Sequence, residues 1–213
     1  MVFLNYLISG ISLGSIYAII ALGYTMVYGI AKMLNFAHGD VIMVGAYVCF
    51  FAMSGLGGGS LPAFVPPLAG TLLAMVVCTV LGVVIERLAY KPLRQAGSLA
   101  VLITAIGVSY FLQNAAQLLW SSSPKMFTPV VSRDLQVPLP GGSSISVLTI
   151  LTVTVCVIIM LFLTWFTGRT KMGKAMRACS ENKAAAQLMG IDVNKTISMT
   201  FAIGSALAAI AGV

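Results

Sequence analysis

Charged residues are scarce in this sequence, and their scarcity excludes a soluble globular domain. Asp, Glu, Lys and Arg make up 8% of the 213 residues, whereas hydrophobic residues make up 59%. Soluble domains carry about 25% charged residues. Several apolar runs also reach the length of about 20 residues that crosses a bilayer as a helix. The composition therefore predicts an all-α integral membrane protein, a polytopic bundle of transmembrane helices.

Residues that serve catalysis and metal binding are equally few. The chain has five acidic residues and one histidine, and its four cysteines show no metal-ligand or redox spacing. It lacks a zinc motif, a nucleophile elbow and paired carboxylates. Gly168, Gly173 and Lys174 match part of a phosphate-binding loop, but Ala175 replaces the Ser or Thr that binds Mg²⁺ there. We predict that the chain is not an enzyme and binds no metal or cofactor itself.

The apolar runs predict about six membrane spans, at residues 4–30, 41–53, 68–85, 98–120, 144–166 and 197–213. The first run lacks the basic start and cleavage site of a signal peptide, so we expect it to be retained. Small residues recur every four positions in the first span and in the sixth, which predicts close helix packing: Gly10, Gly14 and Ala18, and Gly204, Ala208 and Gly212. Because the sixth run reaches Val213, we expect this chain to be a fragment of a longer membrane protein.

The basic residues are distributed unevenly over the loops. Six of the twelve Lys and Arg residues lie in residues 168–196. If the N-terminus is external, the inner loops hold ten of the twelve, and the outer side, with its Ser, Pro and Gly rich loop at 121–143, holds two. The positive-inside rule therefore predicts an external N-terminus and a cytoplasmic 168–196 loop. The net charge of +7 does not indicate a nucleic-acid partner, because the basic loops lack interleaved aromatic residues.

Residues 168–196 form the one long polar insertion in the sequence, and they predict a short amphipathic helix. On a helical wheel one arc holds Glu181 near its centre together with Ala178, Ala184, Ala185, Leu188 and Met189. Small and flexible side chains fit a partner's groove. A basic amphipathic helix could instead lie on anionic headgroups, but this face has no bulky aromatic residue and contains a carboxylate. Docking to a cytoplasmic partner is the favoured interpretation.

Polar residues interrupt the apolar sequence between the first and second spans. Asn35, His38, Gly39 and Asp40 lie in AKMLNFAHGD, and the short second span begins at about Val41. A helix that Gly39 breaks below the headgroups would expose backbone groups that must line a cavity or be buried, as on transport paths. The alternative is a tight interfacial turn. We take these four residues as candidates for a translocation path or gate.

A second polar set lies on the fourth span. Ser109, Gln113, Asn114 and Gln117 fall on one arc of the helical wheel. Amide side chains in a membrane need partners, so this stripe is expected to face other helices or water. The sequence leaves two roles open for the stripe: contact with a transported substrate and hydrogen bonding between helices. The stripe is the second candidate for the path.

Five segments resemble a known family: GISLGSIYAIIALGYTMVYGI, MLNFAHGDVIMVGAY, ERLAYKPLR, LITAIGVSYFLQN and MGKAMRACSENKAAAQLMGIDVNKTI. They are similar to the branched-chain amino acid (Leu/Ile/Val) permease subunits of bacterial ABC importers, over essentially all of residues 1–213. The resemblance implies a multi-pass permease domain of the bacterial cytoplasmic membrane. It also implies the partners: a second homologous permease, two cytoplasmic ATPases that use ATP and Mg²⁺, and an extracytoplasmic amino-acid-binding protein.

The resemblance makes residues 168–196 the cytoplasmic coupling loop that docks the ATPase. Its docking residues would be Arg177, Glu181, Ala184, Ala185, Leu188, Met189 and Gly190. Four of them resemble the family's E-A-A and Gly elements, but the Ile-x-Leu-Pro ending is missing. Two alternatives stay open, a secondary ion-coupled transporter and an ABC permease for urea or short amides. A secondary carrier should show inverted repeats and charged residues at the midplane, and we find no convincing repeat.

Overall fold

Six long helices dominate the computed structural model, which describes residues 2–56, 62, 65–94, 96–125, 136–138 and 144–213. Within those residues, six helices are long and apolar enough to cross a membrane. They are α1 (Val2–Ala31), α2 (His38–Leu56), α3 (Val65–Ile85), α4 (Ser98–Trp120), α5 (Val147–Arg169) and α8 (Val193–Gly212). The prediction of an all-α polytopic membrane protein with about six spans is confirmed.

Shorter elements join these helices at both ends of the bundle. A π-helical turn (Glu86–Tyr90) and a 3-10 turn (Lys91–Leu93) follow α3, and two short helices, α6 (Lys171–Glu181) and α7 (Lys183–Leu188), follow α5. At the other end, β1 (Gln136–Pro138) pairs antiparallel with β2 (Ser144–Ser146). Most of the predicted outer loop, residues 126–135 and 139–143, lies outside the described part of the chain. Ser146 caps α5 by accepting a hydrogen bond from the Leu148 amide, so this helix begins three residues later than predicted.

The last helix, α8, lies at the centre of the bundle. Half of its span is buried, against 11% to 28% in the other five spans. It packs on α1, α2 and α3 through small residues, and a Cβ added to Gly204 would lie 2.8 Å from Val27 and 3.2 Å from the Gly23 carbonyl oxygen. The close-packing face predicted for this helix is confirmed, since Ala208 is fully buried and Gly212 lies against the backbone of Ile42.

The small-residue stripe of α1 behaves differently. No described atom lies within 4 Å of a Cβ placed on Gly10 or Gly14, and the close approach of α1 occurs at Gly23 instead. The prediction that α1 packs through its first glycines is wrong within this chain. A small-residue stripe gives a helix a face that permits close approach, but it does not specify a neighbour for that face. The neighbouring side chains Phe3 and Tyr6 are also exposed.

Contacts between the loops show that the basic residues gather at one end of the bundle. Lys183 hydrogen-bonds the carbonyl of Ala31 at the end of α1, and Arg94 bonds Asn194 at the start of α8. The three connections that follow α1, α3 and α5 therefore share one end. The positive-inside rule predicts that this end is cytoplasmic, and the N-terminal end of α1 lies at the opposite end of the bundle.

Candidate functional site

The chain between α5 and α8 is anchored to the bundle by one face of α6. We call residues 170–192 the coupling segment. Thr170 caps α6 by accepting a hydrogen bond of 3.0 Å from the Gly173 amide, and Gly173 packs so closely on the backbone of Phe166 and Thr167 that a Cβ there would overlap it. Met176 and Cys179 are buried against Ile30 of α1. Gly173, the second glycine of the incomplete phosphate-loop motif, therefore serves helix packing.

The coupling segment contains two helices, so the prediction of one amphipathic helix is wrong. The backbone of Asn182 is extended (φ −152°, ψ 109°), and its Oδ1 accepts hydrogen bonds of 3.0 and 3.1 Å from the amides of Ala184 and Ala185. Asparagine is among the best N-caps, and here it ends α6 and starts α7. The helical wheel assumed one continuous helix, with a rotation of 100° per residue, whereas the chain is not helical at Asn182. Ala178 consequently lies partly buried against the bundle, away from the arc in which it was placed.

An apolar surface remains exposed on α7 and the residue that follows it. Leu188 is 89% exposed and Met189 83% exposed, and Ala184 and Ala185 are exposed beside them. Gly190 ends the helix with a positive φ of 81°, its amide bonded to the Gln187 carbonyl and the next amide, that of Ile191, bonded to the Ala186 carbonyl. This is the Schellman arrangement, in which glycine is preferred because it has no Cβ. Gly190 thus shapes the surface formed by Leu188 and Met189.

The two predicted charged docking residues lie at different places on α6. Glu181 is exposed at the junction of α6 and α7 and accepts no hydrogen bond from the described residues. Arg177 donates to the Gly168 carbonyl at 3.2 Å, so it supports the end of α5. A carboxylate at a helix C-terminus is unfavourable, although the start of α7 beside it favours a negative charge. The fold therefore gives Glu181 no strong role of its own.

Sequence reasoning missed Lys183, which ties the coupling segment to α1. Its Nζ donates to the Ala31 carbonyl oxygen at 2.7 Å, across 152 positions of sequence. Burial, followed by the charge of Arg94 and then that of Lys32, lowers the pKa of this ammonium group. No local pattern could have indicated the pair, because a lysine in a basic loop is ordinarily solvated. The contact fixes the first residue of α7 against the last residue of α1.

The break between α1 and α2 comprises residues 32–37, which we call the inner break. Lys32 ends α1 with a positive φ of 55°, and its amide donates to the Tyr28 carbonyl at 2.9 Å. His38, Gly39 and Asp40 form the first turn of α2. The prediction that Gly39 interrupts the helix is therefore wrong. Glycine occurs in breaks and in helices alike, and here it lies in a turn where no described atom crowds it.

The start of α2 lies inside the bundle. The His38 ring lies 2.9 Å from the position of a Cβ on Gly23, and His38 is 3% exposed. Gly23 is eight residues from the inner end of α1, which corresponds to about 12 Å along the helix. The hydrocarbon core is about 30 Å thick. Of the two interpretations of this region, the geometry favours a break below the headgroups over an interfacial turn.

The two predicted polar sets meet at Asp40. The Gln113 amide nitrogen donates to Asp40 Oδ1 at 3.0 Å and lies 3.2 Å from Ser109 Oγ. Asn35 Oδ1 accepts a hydrogen bond of 3.0 Å from the Tyr90 hydroxyl, so it belongs to a separate pair at the inner end of α3. The other two stripe residues do not reach Asp40. Asn114 donates to the Tyr110 carbonyl of its own helix, and Gln117 is exposed.

Two buried polar atoms at the start of α2 have no hydrogen-bond partner among the described residues. They are Nε2 of His38 and Oδ2 of Asp40. A buried polar atom without a partner costs about 1–3 kcal/mol. Water, a passing solute or another chain could supply the missing partner. This unsatisfied pair distinguishes the start of α2 from an ordinary packed helix end.

A second buried cluster, which the sequence did not single out, joins α3 to α8. Glu86 is fully buried and accepts hydrogen bonds from Arg94 and, at 2.6 Å, from Ser198 Oγ. Arg94 bonds Asn194 as well. The available signal was a lone acidic residue at the start of a basic loop, directly after an apolar run. Among the described residues, no group of three or more His, Cys, Asp or Glu side chains lies close enough to hold a metal ion.

Comparison with known proteins agrees with this architecture. The family model of the permease component of branched-chain amino acid transport systems matches residues 6–213. The chain is 43% identical to the high-affinity branched-chain amino acid transport system permease protein BraD of Pseudomonas aeruginosa and 42% identical to LivH of Escherichia coli K12, over 99% of this chain and 70% of each relative. It is 30% identical to a probable branched-chain amino acid permease of Methanocaldococcus jannaschii, over 91% of this chain and 60% of that relative. No solved structure matches significantly. The resemblance noted in the sequence is confirmed, and the chain belongs to the family of permease components of branched-chain amino acid transport systems.

Proposed function

We propose that this chain is the permease subunit of a bacterial ABC importer and that it forms the path for branched-chain amino acids across the cytoplasmic membrane. Its partners would be a second homologous permease, two cytoplasmic ATPases that use ATP and Mg²⁺, and an extracytoplasmic binding protein that delivers the amino acid. The chain would have no catalytic site of its own. The proposal draws on family membership and on one structural observation, the exposed apolar surface of α7.

That surface has the properties of a docking site for an ATPase. Leu188 and Met189 are almost fully exposed, while Met176, Cys179 and Ala186 on the opposite side hold the segment to the bundle. Large exposed apolar side chains on an anchored element are typical of interaction sites. The surface lies on the cytoplasmic side, where an ATPase must bind. Lys183 links it to α1, so a force applied at α7 reaches the inner break directly.

The polar side chains of α4 support the placement of the path. Gln113, Asn114 and Gln117 are exposed in this single chain, and polar side chains at membrane depth face water or protein rather than lipid. Gln113 also contacts Asp40 beside the inner break. We therefore place the path along the exposed polar face of α4, between this chain and the second permease, with the start of α2 as the movable element.

Retention of the ATPase tests the docking proposal. Leu188→Ser combined with Met189→Ser should reduce the ATPase that co-purifies with the permease and reduce ATP-driven uptake of leucine. The matched control is Leu88→Ser, which removes an exposed apolar side chain from the turn that follows α3 and should leave ATPase retention and uptake unchanged. Normal ATPase retention and uptake in the double variant would remove α7 from the docking role. A secondary carrier would retain no ATPase even in its native form.

A further inference from the structure

A cavity at the cytoplasmic end of the bundle plays no part in the proposed docking or path. Its volume is about 520 Å³, and it lies between the inner end of α1, the inner break and the start of α4. Three basic side chains line it, those of Lys32, Arg94 and Lys183, and the remaining side chains of its wall are apolar except for Tyr28. No acidic side chain is among the described residues that line it. Its charge and its place at the membrane boundary call for a ligand with an anionic group.

The three cations are only partly neutralised. Arg94 pairs with Glu86 and bonds Asn194, but its Nε is buried without a partner among the described residues. The Lys32 ammonium makes no hydrogen bond to the described residues. Burial, followed by the positive charges of Arg94 and Lys32, lowers the pKa of the Lys183 ammonium group. An anion placed among these groups would be attracted by all three.

The apolar wall of the cavity continues onto the outside of the bundle. Leu99, at the start of α4, is 69% exposed, and Tyr28, near the inner end of α1, is also exposed. Both lie where helices leave the hydrocarbon core on the cytoplasmic side. A small inorganic anion would make no contact with this apolar wall, whereas the acyl chains of a lipid would cover it. Basic pockets between helices on the cytoplasmic side are typical sites for acidic lipid headgroups.

We propose that this cavity binds an anionic phospholipid of the inner leaflet, with its phosphate among Lys32, Arg94 and Lys183 and its acyl chains on the wall formed by Leu99 and Tyr28. The site adjoins the Lys183 to Ala31 hydrogen bond, so the bound lipid would contact the link between the coupling segment and α1. The proposal needs only the membrane orientation of the chain. It does not depend on the identity of the transported solute.

The test is a lipid titration of the assembled transporter by native mass spectrometry. Phosphatidylglycerol and phosphatidylcholine with identical acyl chains serve as probes. We expect tighter binding of phosphatidylglycerol, and Lys32→Gln should weaken it about fivefold while leaving phosphatidylcholine binding unchanged. Lys174→Gln is the matched control, since Lys174 is an exposed lysine of α6 that does not line the cavity. Lys183→Gln should weaken binding of phosphatidylglycerol to a similar degree.

Three outcomes would overturn the proposal. Equal affinity for the two lipids would show that the cavity does not select a negative headgroup. If Lys32→Gln and Lys174→Gln lost phosphatidylglycerol affinity equally, the lipid would be attracted to the basic face in general, because each change removes one cytoplasmic charge. Displacement of phosphatidylglycerol by inorganic phosphate at comparable concentration would identify a site for a free anion. A thermal unfolding scan of each variant separates loss of binding from loss of fold.

Discussion

Gly82 lies where α3 crosses α8, and a side chain at this position would overlap Ser205. The Phe201 carbonyl oxygen lies 3.3 Å from the same Cβ position, so neither the side chain nor the backbone of α8 leaves space for it. Overpacking of this kind costs about 1–3 kcal/mol. We predict that Gly82→Ala lowers the melting temperature of the purified transporter. Gly107→Ala on α4 is the control, since no described atom crowds that position, and equal melting temperatures in the two variants would contradict the packing.

Glu181 offers a second prediction at the scale of one residue. Because it is exposed and has no hydrogen-bond partner among the described residues, Glu181→Ala should leave the stability of the isolated permease unchanged. We expect ATPase co-purification to fall all the same, by the equivalent of about 1–3 kcal/mol for a lost hydrogen bond to the partner. Glu181→Gln, which keeps an acceptor oxygen, should retain more ATPase than the alanine variant. Undiminished assembly and transport in Glu181→Ala would exclude the residue from docking.

Some residue roles depend on local sequence and others on distant partners. Gly190 and Asn182 perform functions that their residue types favour, a helix end and a helix cap, because those functions depend on a few neighbouring backbone atoms. Lys183 and Gly82 owe their roles to partners more than 60 positions away in sequence, and Glu86 bonds the equally distant Ser198 as well as the nearby Arg94. A single sequence holds no signal for such pairs. The sequence predicts the contact between Asp40 and Gln113 only in part. It identifies both polar sets as candidates for the path, but it does not predict that they contact each other.

At the scale of the element, the junction of α6 and α7 determines the shape of the coupling segment. Asn182→Ala removes the cap that satisfies two amides of α7, a loss worth about 0.5–2 kcal/mol. We predict faster amide hydrogen exchange across residues 183–190 of the isolated permease. Asn182→Asp keeps a capping oxygen and should exchange at the native rate. If Asn182→Ala exchanged no faster than the native chain, the two-helix description of the segment would be wrong.

The elements themselves follow from composition to different degrees. Long apolar runs must form helices in a membrane, because no other open structure satisfies the backbone there, and all six spans were predicted. The residue at which a helix begins or ends depends on weaker local interactions and on burial. The sequence predicts that the second span begins at about Val41, whereas α2 begins at His38, and Ala37, His38 and Asp40 are buried within the bundle. Burial inside a bundle hides polar residues that a hydropathy profile assigns to a loop.

At the scale of the whole molecule, the described spans carry almost no fixed charge that could hold a zwitterion. Two acidic side chains are buried among the described residues, and both already have partners: Asp40 is bonded to Gln113, and Glu86 is bonded to Arg94 and Ser198. We predict that the isolated permease shows no leucine binding at micromolar concentration by isothermal titration calorimetry, and that selectivity resides mainly in the binding protein. Tight leucine binding by the permease alone would place a specific site in the path and contradict this account.

The central claim is that the start of α2 lines the path and changes its arrangement when the ATPases act. Gly39→Cys tests it, because Gly39 is exposed and a Cβ there meets no described atom within 4 Å. The native chain measures the background labelling of its own four cysteines. Three of them are buried, and Cys156 lies in the α5 span. Gly14→Cys, on the exposed face of α1, controls for entry of the reagent from the lipid side.

The decisive measurement is the rate at which a membrane-impermeant thiol reagent labels Gly39→Cys in the resting and in the vanadate-trapped transporter. The account predicts a rate that differs between the two states, with Gly14→Cys labelled equally slowly in both. Equal rates for Gly39→Cys in the two states would show that the start of α2 is a fixed part of the bundle. The gate would then have to be sought along the polar face of α4.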